Sequence, residues 1–412
     1  MQYGCIGAKL SHSYSRDIHA QLADYLYELT ELTPQQLNTF LTERDFRAVN
    51  VTMPYKQTVI PYLAEIEPNA AQIGAVNTIV NQSGVLYGYN TDFGGMIGLI
   101  GHAGIHLQGK KVLILGTGGT SNTAFAVAKH LGAAEIYKVS RREKSGTLTY
   151  DAVKKEHLDA QILINTTPCG MFPNLGEMAI DPVLFPRLCG VVDAVYNPLR
   201  SALVCKAQSL GVPAAGGLYM LVEQAVLASQ HFLATTYPVG TTERIYKALR
   251  IQKENIVLTG MPGCGKTTVG QLLAEKMGRR FIDTDTLVEE KTGLSPAQII
   301  AKQGEAAFRE LESAVVRELS AKTGLVIATG GGAVLRQENV AALKQNGRIF
   351  FLDRPVEQLL PTDDRPLSST KESLQKRFAE RYDIYISTAD AVIPNTGSID
   401  NTLQLLERSF FL

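Results

Sequence analysis

Residues 258–270 read LTGMPGCGKTTVG. An apolar run, NIVLTG (255–260), leads into this stretch and a helical pattern leads out of it, so it reads as strand, glycine turn and helix start. Gly260-Met-Pro-Gly263-Cys-Gly265-Lys266-Thr267 has the spacing of a phosphate loop. Its glycines let successive backbone N–H groups point at a phosphate, and the helix N-terminus adds a favourable dipole. Gly263, Gly265, Thr267 and Thr268 are then the nucleotide contacts, with Lys266 reaching the β- and γ-phosphates of ATP and the Thr267 hydroxyl joining Mg²⁺. Cys264 occupies a variable position of the loop and carries no assigned chemistry. A strand, loop and helix of this kind belong to an α/β domain with a parallel sheet. This domain starts more than halfway along the chain, so a unit with its own core precedes it.

The chain has 412 residues, too many for one ordinary core, and the expectation is two or three domains. Its 36 glycines and 45% hydrophobic content suit soluble α/β enzymes rather than disordered or fibrous chains. Lys plus Arg equals Asp plus Glu at 40 each, so no polyanion-binding surface is implied and nucleic acid is not an expected partner. No signal segment and no apolar run of membrane-spanning length occur, so no membrane partner is expected either. Five cysteines (5, 169, 189, 205 and 264) without paired close spacing fit reduced thiols in a cytoplasmic protein. His102 and His106 stand at helical spacing without an acidic partner and read as surface histidines.

Short apolar runs alternate with helical patterns from end to end. KKVLILGTGG (110–119), AEIYKVSRR (134–142), AQILINTTP (160–168) and GVVDAVYNP (190–198) read as strands with their turns. YMLVEQAVLASQHFL (219–233) has helical spacing, and a polar stretch follows it. The rhythm restarts at 255 and continues through RFIDTD (280–285), GLVIATGGG (324–332), GRIFFLD (347–353) and DAVIPNTG (390–397). A linker is therefore expected at 240–253, with the phosphate-loop domain over 254–412.

In RFIDTD, Asp283 and Asp285 stand at alternate positions, which puts both carboxylates on one side of a strand end near the phosphates. One supports Mg²⁺ through water, and the other accepts a proton from a substrate hydroxyl. Asp285 is also placed to cap the helix that follows, and the residues alone leave both readings open. After DTD come GEAAFRELE (304–312), ATGGG (328–332), DDRPL (363–367) and ERYDIY (380–385). In that order these motifs resemble shikimate kinase along the whole back half. The resemblance implies that Asp285, Arg309, Gly330, Gly331, Gly332 and Arg381 hold shikimate, that Lys266 and Asp285 act in catalysis with Asp283 and Thr267 at the metal, and that Arg365 is a lid arginine over the transferring phosphoryl group. Two arginines suit a carboxylate, because each planar fork pairs with it. Singly, Arg309 also reads as an i,i+4 helix partner of Glu305, and Arg381 as a solvated helix residue.

The front half has its own glycine loop, LILGTGGTSNTA (113–124), with Gly116, Gly118 and Gly119 at the tight-turn and close-approach positions of a dinucleotide fold and Thr120 beside them. Ser121 stands where the third glycine of the usual fingerprint would be. The next strand ends in Ser140-Arg141-Arg142 rather than in the acid that binds a ribose 2′-hydroxyl. A cationic fork suits a 2′-phosphate, so the expected cofactor is NADP(H), with a solvated turn as the alternative.

Three further segments carry polar groups that periodicity does not demand: SHSYS (11–15), NVTMPYK (50–56) and GYNTDFGG (88–95). Pro54 stops a strand and can open a helix, which puts Lys56 in a first turn against the helix dipole and points to a role. Asp92 is placed as a helix cap within reach of Lys56. Ser13 and Ser15 either start a helix or donate to a carboxylate.

With GAVNT (74–78), NTTPCGM (165–171), DAVYNP (193–198) and GGLYMLVEQ (216–224), these segments resemble shikimate dehydrogenase over residues 1 to about 245. The resemblance implies a substrate lobe at 1–97 completed by a helix around 219–245, and a Rossmann lobe at 98–218. It assigns Ser13, Ser15, Thr52, Asn77, Tyr196 and Gln224 with Asp92 to 3-dehydroshikimate or shikimate, Gly217 to the cofactor, and the proton transfer to Lys56 with Asp92. The two halves are thus expected to reduce 3-dehydroshikimate with NADPH and then phosphorylate shikimate with ATP and Mg²⁺. Their partners are small molecules, and the oligomeric state stays open. Lys9 and Arg16 replace the family's usual prolines, and residues 19–34 are shorter than its usual first helix and second strand.

Overall fold

The computed structural model describes residues 1–10, 14–359 and 371–411. The chain divides into two compact units, Met1–Leu249 and Arg250–Leu412.

In the first unit, one sheet holds β1 (Tyr3–Gly7), β2 (Tyr27–Glu31), β3 (Ala48–Val51), β4 (Glu65–Ile66), β5 (Thr78–Gln82) and β6 (Val85–Tyr89), in the order β2-β1-β3-β5-β6-β4. β1 and β3 are parallel, β5 runs against β3, and β6 runs against β5. The ends of β1, β3 and β6 and the start of β5 therefore share one edge. Cys5 and Ile6, neighbours on β1, point to opposite faces and are both buried, Cys5 against Ala228 and Phe232 and Ile6 against Leu37 and Leu41. Helices therefore cover both faces of this sheet at β1.

A second sheet holds β7 (Lys111–Leu115), β8 (Glu135–Ser140), β9 (Leu148–Thr149), β10 (Ile162–Asn165), β11 (Gly190–Asp193) and β12 (Ala214–Ala215). Its order is β12-β11-β10-β7-β8-β9, all parallel. The chain leaves β7 toward β8 on one side and returns to β10 on the other, which opens a crevice at the C-terminal end of β7. Leu113 and Leu115 fill the core on one face, and Val112 and Ile114 that on the other. This is the Rossmann arrangement expected from the glycine loop.

The second unit's sheet holds β13 (Asn255–Thr259), β14 (Arg280–Asp283), β15 (Leu325–Ala328), β16 (Gly347–Asp353) and β17 (Ala391–Pro394), in the order β14-β15-β13-β16-β17, all parallel. Again alternate residues of the central strand, Val257 against Ile256 and Leu258, enter different cores. The phosphate loop leaves β13 between β15 and β16, at the corresponding crevice.

Residues 240–253, expected as a linker, instead include the helix Thr241–Lys253. Ile245 and Leu249, one turn apart, are fully buried against Ile18, Val222 and Val226. The polar residues between them hid this narrow apolar stripe.

Candidate functional site

Strand direction assembles the front site. Thr52 follows β3, Asn77 precedes β5, and the helix Thr91–His102 follows β6, so all three lie on the shared edge. Ser15 opens the helix Ser15–His19 after β1. That helix has only five residues. Ser13 lies outside the described residues.

Lys56 donates from Nζ to Asp92 Oδ2 at 2.5 Å, with both side chains largely but not wholly shielded. Neither residue stands quite where the sequence put it. Residues 53–59 form turns rather than a helix, followed by the 3₁₀ turn Ile60–Tyr62. Only six residues separate Pro54 from Pro61, too short a span for a regular helix ahead of the second proline, and the β-branched run Thr58-Val59-Ile60 adds to this. Lys56 therefore opposes no helix dipole. Asn90, not Asp92, caps the helix, accepting from Phe93 N at 3.3 Å. Asp92 lies in the first turn, where a carboxylate is favoured by the dipole.

Asn77 is buried and locked: its Oδ1 accepts from Thr91 N at 2.8 Å, and its Nδ2 donates to Thr91 Oγ1 at 3.0 Å. Asn50, which the sequence reading missed, braces it from behind. Asn50 accepts from Tyr27 at 2.7 Å and donates to Thr78 Oγ1 at 3.1 Å, and Thr78 Oγ1 in turn donates to Asn77 Oδ1. Gln224, on the helix Leu218–Leu233, faces Gly95 of the Asp92 helix. Tyr196, after β11, packs its ring 5.5 Å from that of Tyr14, and burial raises its pKa.

At the dinucleotide crevice Gly116 has φ +113°, and a Cβ there would meet Thr166 Oγ1 at 2.8 Å. Gly118 and Gly119 differ, since a Cβ on either meets nothing within 4 Å, so this open side admits a cofactor's pyrophosphate. They begin the helix Gly119–His130, which carries Thr120 in its first turn. Ser121 is buried and donates to Gly118 O at 2.6 Å, which closes the turn. Arg141 and Arg142 are exposed at the end of β8, beside Ser140, whose Oγ accepts from Arg142 N. Gly217 begins the helix Leu218–Leu233 with its Cα against Ala194, where a side chain would clash with the backbone.

In the second unit a cavity of about 330 Å³ joins the phosphate loop to the acidic and basic residues singled out in the sequence. Lys266 is buried and donates to Gly260 O and Met261 O, both at 2.9 Å. Asn395 donates to Cys264 O at 2.6 Å and so clamps the loop from β17's end. Gly263 and Gly265 hold φ values of +79° and +97°, and Thr268 lines the same cavity. Thr267 Oγ1 donates to Asp283 Oδ2 at 2.9 Å. A hydroxyl and a carboxylate so close fit an octahedral Mg²⁺ that takes its remaining oxygens from phosphate and water. Among the described residues no cluster of three or more His, Cys, Asp or Glu forms an all-protein cage.

Asp283 ends β14 and caps the helix Thr284–Thr292 by accepting from Asp285 N at 3.0 Å. Asp285 thus belongs to the helix, and strand alternation is not what brings the two acids to one cavity. The cap does so by turning the chain. Arg309 pairs with Glu312 at 2.7 Å and Glu305 at 3.0 Å. Arg381 donates to Gly331 O at 3.1 Å. Gly330 lies between Asp285 and Glu312, where a Cβ would sit 2.6 and 2.5 Å from their oxygens, and at Gly332 it would strike the Arg309 guanidinium. Glu312 was missed in the sequence although it stands three residues after Arg309. It is fully buried, and burial raises its pKa against the opposing pull of Arg309. Arg365 lies outside the described residues.

The family models match where these sites lie. One described as the shikimate dehydrogenase substrate binding domain matches residues 5–79, and one described as shikimate kinase matches residues 262–408. The shikimate dehydrogenase (NADP(+)) of Clostridium perfringens is 34% identical over 266 residues, covering 60% of this chain and 98% of that protein. The shikimate kinase of Clostridium botulinum is 40% identical over 160 residues, covering 38% of this chain and 96% of that protein. The chain belongs to both families. Its shikimate dehydrogenase part also resembles the crystal structure of shikimate dehydrogenase 1 from Peptoclostridium difficile, at 33% identity and a TM-score of 0.56, over 60% of this chain and 98% of that one. The shikimate kinase part holds the phosphate loop and the arginine-lined cavity. Among the described residues no helix is long and apolar enough to cross a membrane.

Proposed function

We propose that the first unit reduces 3-dehydroshikimate to shikimate with NADPH and that the second phosphorylates shikimate at its 3-hydroxyl with Mg-ATP. The observation that carries the front half is the 2.5 Å Lys56–Asp92 pair on the shared sheet edge. Reducing a ketone requires a proton donor at the oxygen that forms, and Lys56, held by Asp92, is the donor. Ser13, Ser15, Thr52, Asn77, Tyr196 and Gln224 orient the substrate around it. NADPH supplies the hydride, with Gly116, Gly118, Gly119, Thr120 and Gly217 at its backbone and Ser140, Arg141 and Arg142 at its 2′-phosphate.

The back half rests on one cavity that holds both a phosphate loop and Asp285 with Arg309 and Arg381. Asp285 takes the proton of the acceptor hydroxyl, while Arg309, Arg381 and glycines 330–332 hold the acceptor. Lys266 and Arg365 stabilise charge on the transferring group, and Thr267 with Asp283 fixes Mg²⁺. Five free cysteines support a reducing, cytoplasmic setting.

One incubation tests both activities. Purified protein with 3-dehydroshikimate, NADPH and Mg-ATP is expected to consume NADPH and yield shikimate 3-phosphate, and without ATP to yield shikimate alone. NADPH loss without a phosphorylated product would confine the reading to the front unit, and no turnover at all would overturn it.

A further inference from the structure

We propose that Arg377 is a further substrate-binding residue of the kinase site, whose guanidinium supplies the positive charge that the acceptor's carboxylate needs. This rests on the reading above, in which the second unit phosphorylates a carboxylate-bearing alcohol.

Arg377 lines the same cavity as Arg309, Arg381 and Asp285. It lies on the helix Lys371–Thr388, one turn before Arg381, so the two guanidiniums leave the helix on one face. Like charges at this spacing repel, a local cost that Glu305 and Glu380 only partly offset. Burial and then the neighbouring Arg381 pull its pKa down. Among the described residues it makes no hydrogen bond or ion pair, whereas Arg309 is held by two glutamates and Arg381 by a carbonyl.

Charge balance shows why it is needed. Around the acceptor end, the cavity is lined by Arg309 and Arg381 against two carboxylates, Asp285 and Glu312. With those groups alone the region is neutral, and Arg309 is already paired with Glu312 and Glu305, so an anionic acceptor gains little net attraction. Arg377 tips the lining to net positive and has its own donors free for a carboxylate, which no other arginine at this end can offer as fully. No motif in the sequence pointed to it, because ERYDIY begins three residues later.

The test uses the full chain, Arg377→Gln and Arg377→Lys, with shikimate and its neutral methyl ester as acceptors and ADP release as the readout. Arg377→Gln is expected to raise the KM for shikimate about 10- to 100-fold, the range for losing one charge-assisted hydrogen bond, and to leave the KM for ATP within about twofold. Arg377→Lys should fall between. With the methyl ester, wild type and Arg377→Gln should have equal KM values. An unchanged KM for shikimate in Arg377→Gln, or an equal penalty on both acceptors, would overturn the proposal while leaving the kinase reading intact. Wild-type protein that releases no ADP with shikimate would overturn both.

Discussion

Two buried titratable residues of the first unit shift in opposite senses. Burial pushes the Asp193 carboxyl up from 3.8 to about 6, although Ser201, Val195 and Asn165 all donate to it. Burial likewise pushes the His19 imidazole down from 6.5 to about 3, where it stacks 3.8 Å from Tyr27 and bonds Tyr25. Between about pH 4 and 6 the native state holds the extra proton at Asp193, so that group makes stability fall as pH rises. At His19 the unfolded chain holds the extra proton from about pH 3 to 6.5, so stability rises with pH. The slopes offset each other in the native protein. Asp193→Asn should therefore gain stability relative to wild type as pH rises from 4 to 6, by about 2 kcal/mol, and His19→Gln should lose it over the same range. Urea midpoints of the first unit across this range would check both signs, and curves parallel to wild type would refute the offset. The sequence showed Asp193 only as the first residue of DAVYNP, with no role of its own, and did not single out His19, because what shifts them is burial by segments distant in the chain.

The helix Thr91–His102 shows how an element can carry chemistry by its bare face. Gly94, Gly95 and Gly98 turn toward the helix Leu218–Leu233, where a Cβ at Gly95 would sit 2.9 Å from Met220 O and 3.0 Å from Gln224 Cβ. Glycine costs a helix roughly 1 kcal/mol per residue, and here the return is a close approach of the helix that carries Asp92 to the helix that carries Gln224. Gly95→Val is expected to destabilise the first unit by about 1–3 kcal/mol and to raise the KM for 3-dehydroshikimate, checked by unfolding and by NADPH oxidation. A variant with native KM would mean the approach serves packing alone. The sequence showed this helix and both glycine loops plainly, because apolar spacing and phosphate-binding turns are local properties. It misread the segment after Pro54, where a second proline and β-branched residues outweigh the helix-opening proline. It also missed Asn50 and Glu312, whose roles exist only once strands and helices are packed.

At the scale of the whole molecule the two sites draw on separate sheets, each in its own unit. Lys56→Ala is expected to lower dehydrogenase turnover by 10²- to 10⁴-fold, about the worth of a positioned general acid, and to spare ADP release. Lys266→Ala should do the reverse. If either substitution silenced both reactions in folded protein, the assignment of one site to each unit would fail. The helix Thr241–Lys253 belongs to neither unit alone. Its Ile245 and Leu249 lie in the first unit's core beside Ile18, on the short helix that Ser15 begins. Its later residues serve the second, where Ile251 packs against the core and its carbonyl accepts from Arg279. Burying Ile245 and Leu249 stabilises by roughly 3–6 kcal/mol, a large part of a domain's usual 5–15. A gene divided at residue 240 would thus leave the reductase without part of its interior and loosen the serine segment, while one divided after residue 253 would strip the kinase. The joint is no spare cord between two finished enzymes: each half holds part of it in its own interior.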